Sequence, residues 1–231
     1  MARKKKQEMN TNQRKLITWL NSKSPVSEQY RTIRTNIQYS SVDKEMQTMV
    51  VTSAGPGEGK STTVANLAVT MAQQEKKVLL VDADLRKPTV HYTFRRMNTH
   101  GLINALTNHG EYAAYVQETE VPNLDILPSG PIPPNPSEIL GSRSMAHLVE
   151  LAREQYDVIL FDAPPVLAVT DVQVISRHCD GSILVVKAGE TENDAARKAK
   201  DLLEVSGVPI LGCILNQKKG MDQSYYYYYG G

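Results

Sequence analysis

Runs of apolar residues alternate along the chain with segments whose apolar positions recur every three or four residues. The runs at 47–53, 78–82, 124–127, 157–161, 182–186 and 210–215 are mostly continuous. That is the pattern of strands buried on both faces of a parallel sheet. Val64, Leu67, Ala68, Met71 and Ala72 fall at i, i+3, i+4, i+7 and i+8 and predict one helix face. Met145, Leu148, Val149 and Ala152 repeat the spacing, and Ala195, Ala199, Leu202 and Leu203 predict a late amphipathic helix. Strands alternating with helices predict an α/β fold with a doubly wound, mostly parallel sheet. Five prolines between Pro128 and Pro136 mark a rigid loop, and Asn135-Pro136-Ser137-Glu138 reads as the start of the next helix.

The first strand runs into Ala54-Gly55-Pro56-Gly57-Glu58-Gly59-Lys60-Ser61-Thr62 and then a helical pattern. Strand, glycine-rich loop and helix in that order make a phosphate cradle. Gly55, Gly57 and Gly59 let successive backbone N–H groups converge on phosphate oxygens, and the helix N-terminus adds its positive dipole end. Lys60 supplies a point charge for the β- and γ-phosphates, and the Ser61 hydroxyl suits Mg²⁺. Ala54 stands where the usual pattern begins with glycine. The strand at 78–82 ends in Asp82-Ala83-Asp84, and alternation puts both carboxylates on one side of the chain. A second apolar strand ends in Asp162, followed by Ala163-Pro164-Pro165, a Walker B pattern. One carboxylate near Mg²⁺ is routine, and three at strand ends leave one spare to act as a base. The competing reading makes one of them, Asp82 above all, a helix cap or loop carboxylate.

The chain has 231 residues, 41% hydrophobic and 22% charged, enough to bury a substantial core. No stretch approaches the roughly 18 apolar residues of a membrane span, and no secretory signal is evident. With only Cys179 and Cys213, read as core thiols, no disulfide framework arises. These features predict a soluble, cytoplasmic protein, and nothing in them calls for a nucleic-acid partner. The net charge of +1 hides an asymmetry: residues 1–15 hold six basic residues against Glu8, and the remainder holds 20 basic and 24 acidic residues. A basic, flexible arm over 1–26, a P-loop domain over 27–216 and a flexible tail over 217–231 are expected. The tail carries Tyr225, Tyr226, Tyr227, Tyr228 and Tyr229 in succession. Trp19 reads equally as an anchor to a partner or as part of the arm.

Taken together, the residues resemble the bacterial protein-tyrosine kinases of the capsular and exopolysaccharide type, in the Firmicute arrangement where kinase and transmembrane activator are separate chains. The resemblance rests on the loop 54–61, on Val81 to Arg86 as a second Walker A-type motif, and on Leu160 to Asp162. It rests also on the proline loop 130–136, on Glu28-x-x-Arg31-x-x-Arg34 and on the tyrosine cluster. It implies an ATP- and Mg²⁺-dependent kinase that autophosphorylates Tyr225 to Tyr229, in trans within a ring-shaped homo-oligomer. Asp82 would be the base toward the tyrosine hydroxyl, Lys60 would stabilise the transferring group, and Ser61, Asp84 and Asp162 would hold Mg²⁺. Gly55, Gly57, Glu58, Gly59, Lys60, Ser61, Thr62 and Asn216 would bind ATP, Asn216 near adenine. Glu28, Arg31 and Arg34 would form subunit contacts. A transmembrane activator or chain-length modulator, which recruits the kinase to the inner membrane face, and a tyrosine phosphatase are the implied partners. Two other readings stay open on the residues alone. One is a partition-type ATPase, whose signature lysine would stand where this chain has Gly55. The other is a non-catalytic ATP-binding scaffold that regulates a membrane polysaccharide polymerase.

Overall fold

The computed structural model describes residues 16–40, 46–107 and 112–218. Two helices, α1 (Ile17–Leu20) and α2 (Pro25–Tyr39), precede the sheet. The Ser24 hydroxyl accepts from the Ser27 N–H as the N-cap of α2, and Pro25 takes the first helical position, where no N–H is needed. Residues 16–26 are thus folded, although a flexible arm was expected to run through 26. The reason is a polar clasp that hydrophobic periodicity does not report. Thr18 is buried, and its N–H and hydroxyl donate to Asn66 Oδ1 at 3.1 and 2.9 Å. Trp19 lies in α1 and is 40% exposed.

The chain then alternates. β1 (Thr48–Ser53) leads into α3 (Lys60–Ala72), and β2 (Val78–Asp82) into α4 (Val90–Phe94) and α5 (Leu102–Thr107). A two-residue β3 (Gln117–Glu118) precedes β4 (Leu124–Leu127), α6 (Pro136–Leu140) and α7 (Arg143–Gln155). β5 (Val158–Asp162), α8 (Asp171–Ser176), β6 (Gly181–Lys187), α9 (Asn193–Val205) and β7 (Ile210–Asn216) complete the described fold. The six expected strands form, each within a residue of its expected bounds. β3 had not been expected, because two residues carry no period.

The strands lie in the order β3-β4-β2-β5-β1-β6-β7, all parallel except β3, which runs antiparallel to β4. Successive residues of a strand face opposite layers. On β5, Ile159 and Phe161 join Met145, Leu148, Val149 and Ala152 of α7 in one core. Val158 and Leu160 join Val64, Leu67, Ala68 and Met71 of α3 in the other. These two of the three expected helix faces are therefore buried, on opposite sides of the sheet. β7 is an edge strand and leaves Cys213 exposed, so the expectation of a core thiol there fails: an edge strand has a neighbouring strand on one side only. Register brings the carboxyl ends of three central strands level, with Val51 beside Asp162 and Asp162 beside Asp82. Open α/β sheets bind ligands along that edge.

Candidate active site

The loop after β1 is braced from two directions. Gly59 is the N-cap of α3 at φ +88°, a left-handed conformation that L side chains resist, and a Cβ there would collide with Asn216 Nδ2. Asn216 ends β7 and donates from Nδ2 to the Glu58 carbonyl at 2.8 Å. The Glu58 side chain folds back into the loop. Its Oε2 accepts from the Ala54 N–H at 2.9 Å, and its Oε1 accepts from the Thr191 hydroxyl at 2.6 Å. Glu58 and Asn216 thus shape the cradle, and Gly59 is glycine because backbone and neighbour both require it. Thr191, in the turn after β6, carried no sequence signal.

Lys60 opens α3 and reaches beneath the loop. Its ammonium donates to Asp84 Oδ2 at 2.8 Å, to Asp162 Oδ1 at 3.1 Å and to the Ser61 hydroxyl at 3.2 Å. Lys60, Ser61, Asp84 and Asp162 are all buried. Burial pulls the Lys60 ammonium toward neutrality, but the charges of Asp162 and Asp84 and the hydrogen bonds to both outweigh it, so its pKa is raised. Four residues read from three separate motifs therefore meet at one point. The set fits a divalent cation. Asp162 Oδ2 is buried and has no hydrogen-bond partner among the described residues, and a cationic head already lies among oxygens from Asp84, Asp162 and Ser61. Carboxylate and hydroxyl oxygens are also the donors that Mg²⁺ takes beside phosphates.

Asp82 has no exposed surface. Its Oδ2 accepts from the N–H groups of Thr89 and Val90 at 2.8 and 2.9 Å, which fixes the turn into α4, while Oδ1 has no partner among the described residues. Burial, then the charge of Asp162, pushes its carboxyl well above the ordinary range, against the two N–H donors and Lys60. Asp82 therefore caps a turn with one oxygen and keeps the other free. Arg86 donates to both carboxylate oxygens of Asp171. That pairing was missed, because an aspartate at a helix start reads only as a cap.

On α2, Arg31 pairs with Glu28 and donates to the Ser22 carbonyl, and Arg34 donates to the Thr70 carbonyl of α3 at 2.7 Å. Tyr225 to Tyr229 lie outside the described residues.

Residues 46–194 match the AAA domain family model. The chain is 52% identical over 218 residues to the tyrosine-protein kinase YwqD of Bacillus subtilis, covering 94% of this chain and 92% of that one. The crystal structure of the chimerical protein CapA2B2 superposes with a TM-score of 0.85 at 44% identity, covering 88% of this chain and 89% of that one. The septum site-determining protein MinD of Pyrococcus horikoshii, complexed with Mg-ADP, gives 0.64 at 25% identity, covering 77% and 72%. Similarity to kinases thus runs over nearly the whole chain, well beyond the generic phosphate loop. A doubly wound P-loop sheet, a lysine set among two carboxylates and a hydroxyl, and a relative of this closeness place the chain in the bacterial protein-tyrosine kinase family.

Proposed function

We propose that the chain transfers the γ-phosphoryl group of Mg²⁺–ATP to tyrosine hydroxyls, those of Tyr225 to Tyr229 in a neighbouring subunit among them. The observation that carries this reading is the convergence of Lys60, Ser61, Asp84 and Asp162 beneath the loop. Such chemistry is mostly positioning and charge neutralisation. The backbone N–H groups of Gly55 and of Gly57 to Thr62 would cradle the phosphates, held in shape by Glu58 and Asn216. Asn216 lies against the loop at the end of β7, where it would also border the adenine. Ser61, Asp84 and Asp162 would hold Mg²⁺, which when bound neutralises phosphate charge. Lys60 would turn from the carboxylates to the transferring group. Asp82 Oδ1 would take the proton from the tyrosine hydroxyl, while Oδ2 keeps its hold on the turn.

The wider reading rests on the resemblance. The kinase would assemble as a ring through Glu28, Arg31 and Arg34 and be recruited to the membrane by a transmembrane activator. A phosphatase would reset it, and its output would be control of capsule or exopolysaccharide synthesis. The direct test mixes purified chain, the activator's cytoplasmic segment and Mg²⁺–ATP, then probes for phosphotyrosine. Wild type should become phosphorylated and Lys60→Met should not. Equal signal in both would overturn the assignment.

A further inference from the structure

Asp171 opens α8 without any exposed surface. Its Oδ2 accepts from Arg86 Nε at 2.9 Å, and its Oδ1 accepts from Arg86 Nη2 at 3.0 Å and from the Ser137 hydroxyl at 2.5 Å. The guanidinium is therefore gripped by both prongs, a geometry that fixes its plane as well as its position. The three residues come from three different connections between strands, at the carboxyl edge of the sheet. Arg86 belongs to the segment between β2 and α4, which also carries Asp84. Ser137 is the second residue of α6 and closes the proline loop. Asp171 ends the segment that follows Asp162.

The segment 83–89 is tied at both ends. The Ala83 N–H donates to the Asp162 carbonyl at 2.9 Å, and the Thr89 N–H donates to Asp82. Within it, Asp84 Oδ1 accepts from the Lys87 N–H at 3.0 Å, a purely local bond. The middle of the segment is held by Leu85, buried in one core, by Lys60 on Asp84, and by Arg86, which ties it to Asp171 across the crevice rim. A buried ion pair is weak evidence for stability, since an apolar replacement is often as stable. Here the carboxylate is fully buried while the arginine side chain is 42% exposed. The pair therefore lies at a rim and joins separate segments rather than filling a core.

We propose that Asp171 is a positioning residue for phosphoryl transfer. By gripping Arg86 and Ser137 it holds the Asp84 segment and the proline loop against the end of β5, so that Asp84 faces Lys60 and Asp162. The inference rests on the reading of Asp84 as a metal-holding carboxylate. Groups that orient metal-holding side chains typically change metal affinity or activity by about 10–100-fold when lost. Small misplacements of reacting groups have effects of similar size.

The test uses the full chain with Asp171→Asn, Arg86→Lys and the double variant. Fluorescent ADP affinity is measured with Mg²⁺ chelated and then across a Mg²⁺ titration, beside kcat and KM for ATP. Mg²⁺-free affinity should stay within about twofold, because none of the bonds bracing the phosphate loop involves Asp171. The Mg²⁺ needed for half-saturation should rise about tenfold, and kcat should fall about 10–100-fold with KM little changed. The double variant should be no worse than Asp171→Asn, since the two residues act as one clasp. Parallel loss of Mg²⁺-free affinity, or multiplying effects in the double variant, would overturn the proposal. If Asp171→Asn does not fold, Arg86→Lys and Ser137→Ala carry the same measurements. An inactive Lys60→Met beside a wild-type Asp171→Asn sinks only the positioning role. A fully active Lys60→Met sinks the kinase site itself.

Discussion

Lys60 lies where a divalent cation would also lie, 2.8 Å from Asp84 and 3.1 Å from Asp162. Removing one partner of a buried ion pair leaves its mates uncompensated, typically at 3–5 kcal/mol. Lys60→Met should therefore lower the free energy of unfolding by about 3–5 kcal/mol at neutral pH, besides abolishing transfer. Millimolar Mg²⁺ should recover part of that loss, because the metal can stand between the carboxylates that the ammonium has left. Urea unfolding with and without Mg²⁺ measures this, and an unchanged midpoint would mean that the contacts contribute nothing. Asp82 gives a second prediction. A base works deprotonated, and burial and Asp162 raise its carboxyl above the ordinary range. Transfer should then climb with pH along an acid limb lying above that of an exposed carboxylate. Asp82→Asn keeps an amide oxygen for the Thr89 and Val90 N–H groups but cannot take a proton. It should remove the limb and lower the rate by roughly 10²–10⁴. A pH–rate profile with the limb intact in that variant would reduce Asp82 to a cap.

Elements are bolted together away from the crevice by a polar knot at the opposite edge of the sheet. Asp180 Oδ2 accepts from the Thr48 N–H and hydroxyl, each at 2.9 Å, and lies 2.9 Å from Arg153 Nη2. The knot joins the starts of β1 and β6 to α7. Burial alone would raise the Asp180 carboxyl, but the hydrogen bonds from Arg153 and Thr48 bring it down to about 2. A depressed folded-state value contributes stability above the unfolded carboxylate's pKa, lost as pH falls through the folded one. Wild type should thus lose stability between about pH 4 and pH 2, and Asp180→Asn should lose less over that window. Asp180→Ala should be less stable at pH 7 by about 2–4 kcal/mol. Equal acid slopes in denaturant titrations of wild type and Asp180→Asn would count against the knot. Such ties mark what the sequence leaves unread. Continuous apolar runs named six strands because parallel strands bury both faces, and the loop around Lys60 was legible because phosphate geometry restricts which residues serve. The clasps of Thr18 on Asn66, Glu58 on Thr191 and Asp171 on Arg86 join residues 48, 133 and 85 positions apart. No period or motif announces polar pairs at such separations, and the fold alone brings them together.

Charge is distributed unevenly over the whole molecule, and assembly should follow it. On α2, Glu28 is exposed and its pair with Arg31 is at the surface, whereas Arg34 already serves α3 through the Thr70 carbonyl. Reversing the charges of Glu28 and Arg31 singly therefore tests a subunit contact without loosening the fold, which replacing Arg34 would do. On the proposed reading, the tail would add a switch. From residue 217 to 231 it carries Lys218, Lys219 and Asp222 and five successive tyrosines. Each phosphotyrosine adds about −1.5 to −2 charges near neutral pH, so full modification adds roughly −7 to −10. Side chains summing to +1 would suit a neighbour's crevice beside anionic phosphates. A fully phosphorylated tail would be repelled by nucleotide and, in the proposed ring, by other modified tails. Phosphorylation should then release tails and loosen the assembly, making activity self-limiting, and a phosphatase should restore it. Replacing Tyr225 to Tyr229 with Phe keeps the rings and removes the acceptors, so that variant should stay oligomeric in Mg²⁺–ATP and activator while wild type dissociates. Gel filtration after matched incubations decides the matter: co-elution of the two as oligomers, with wild type shown to be phosphorylated, would rule the switch out.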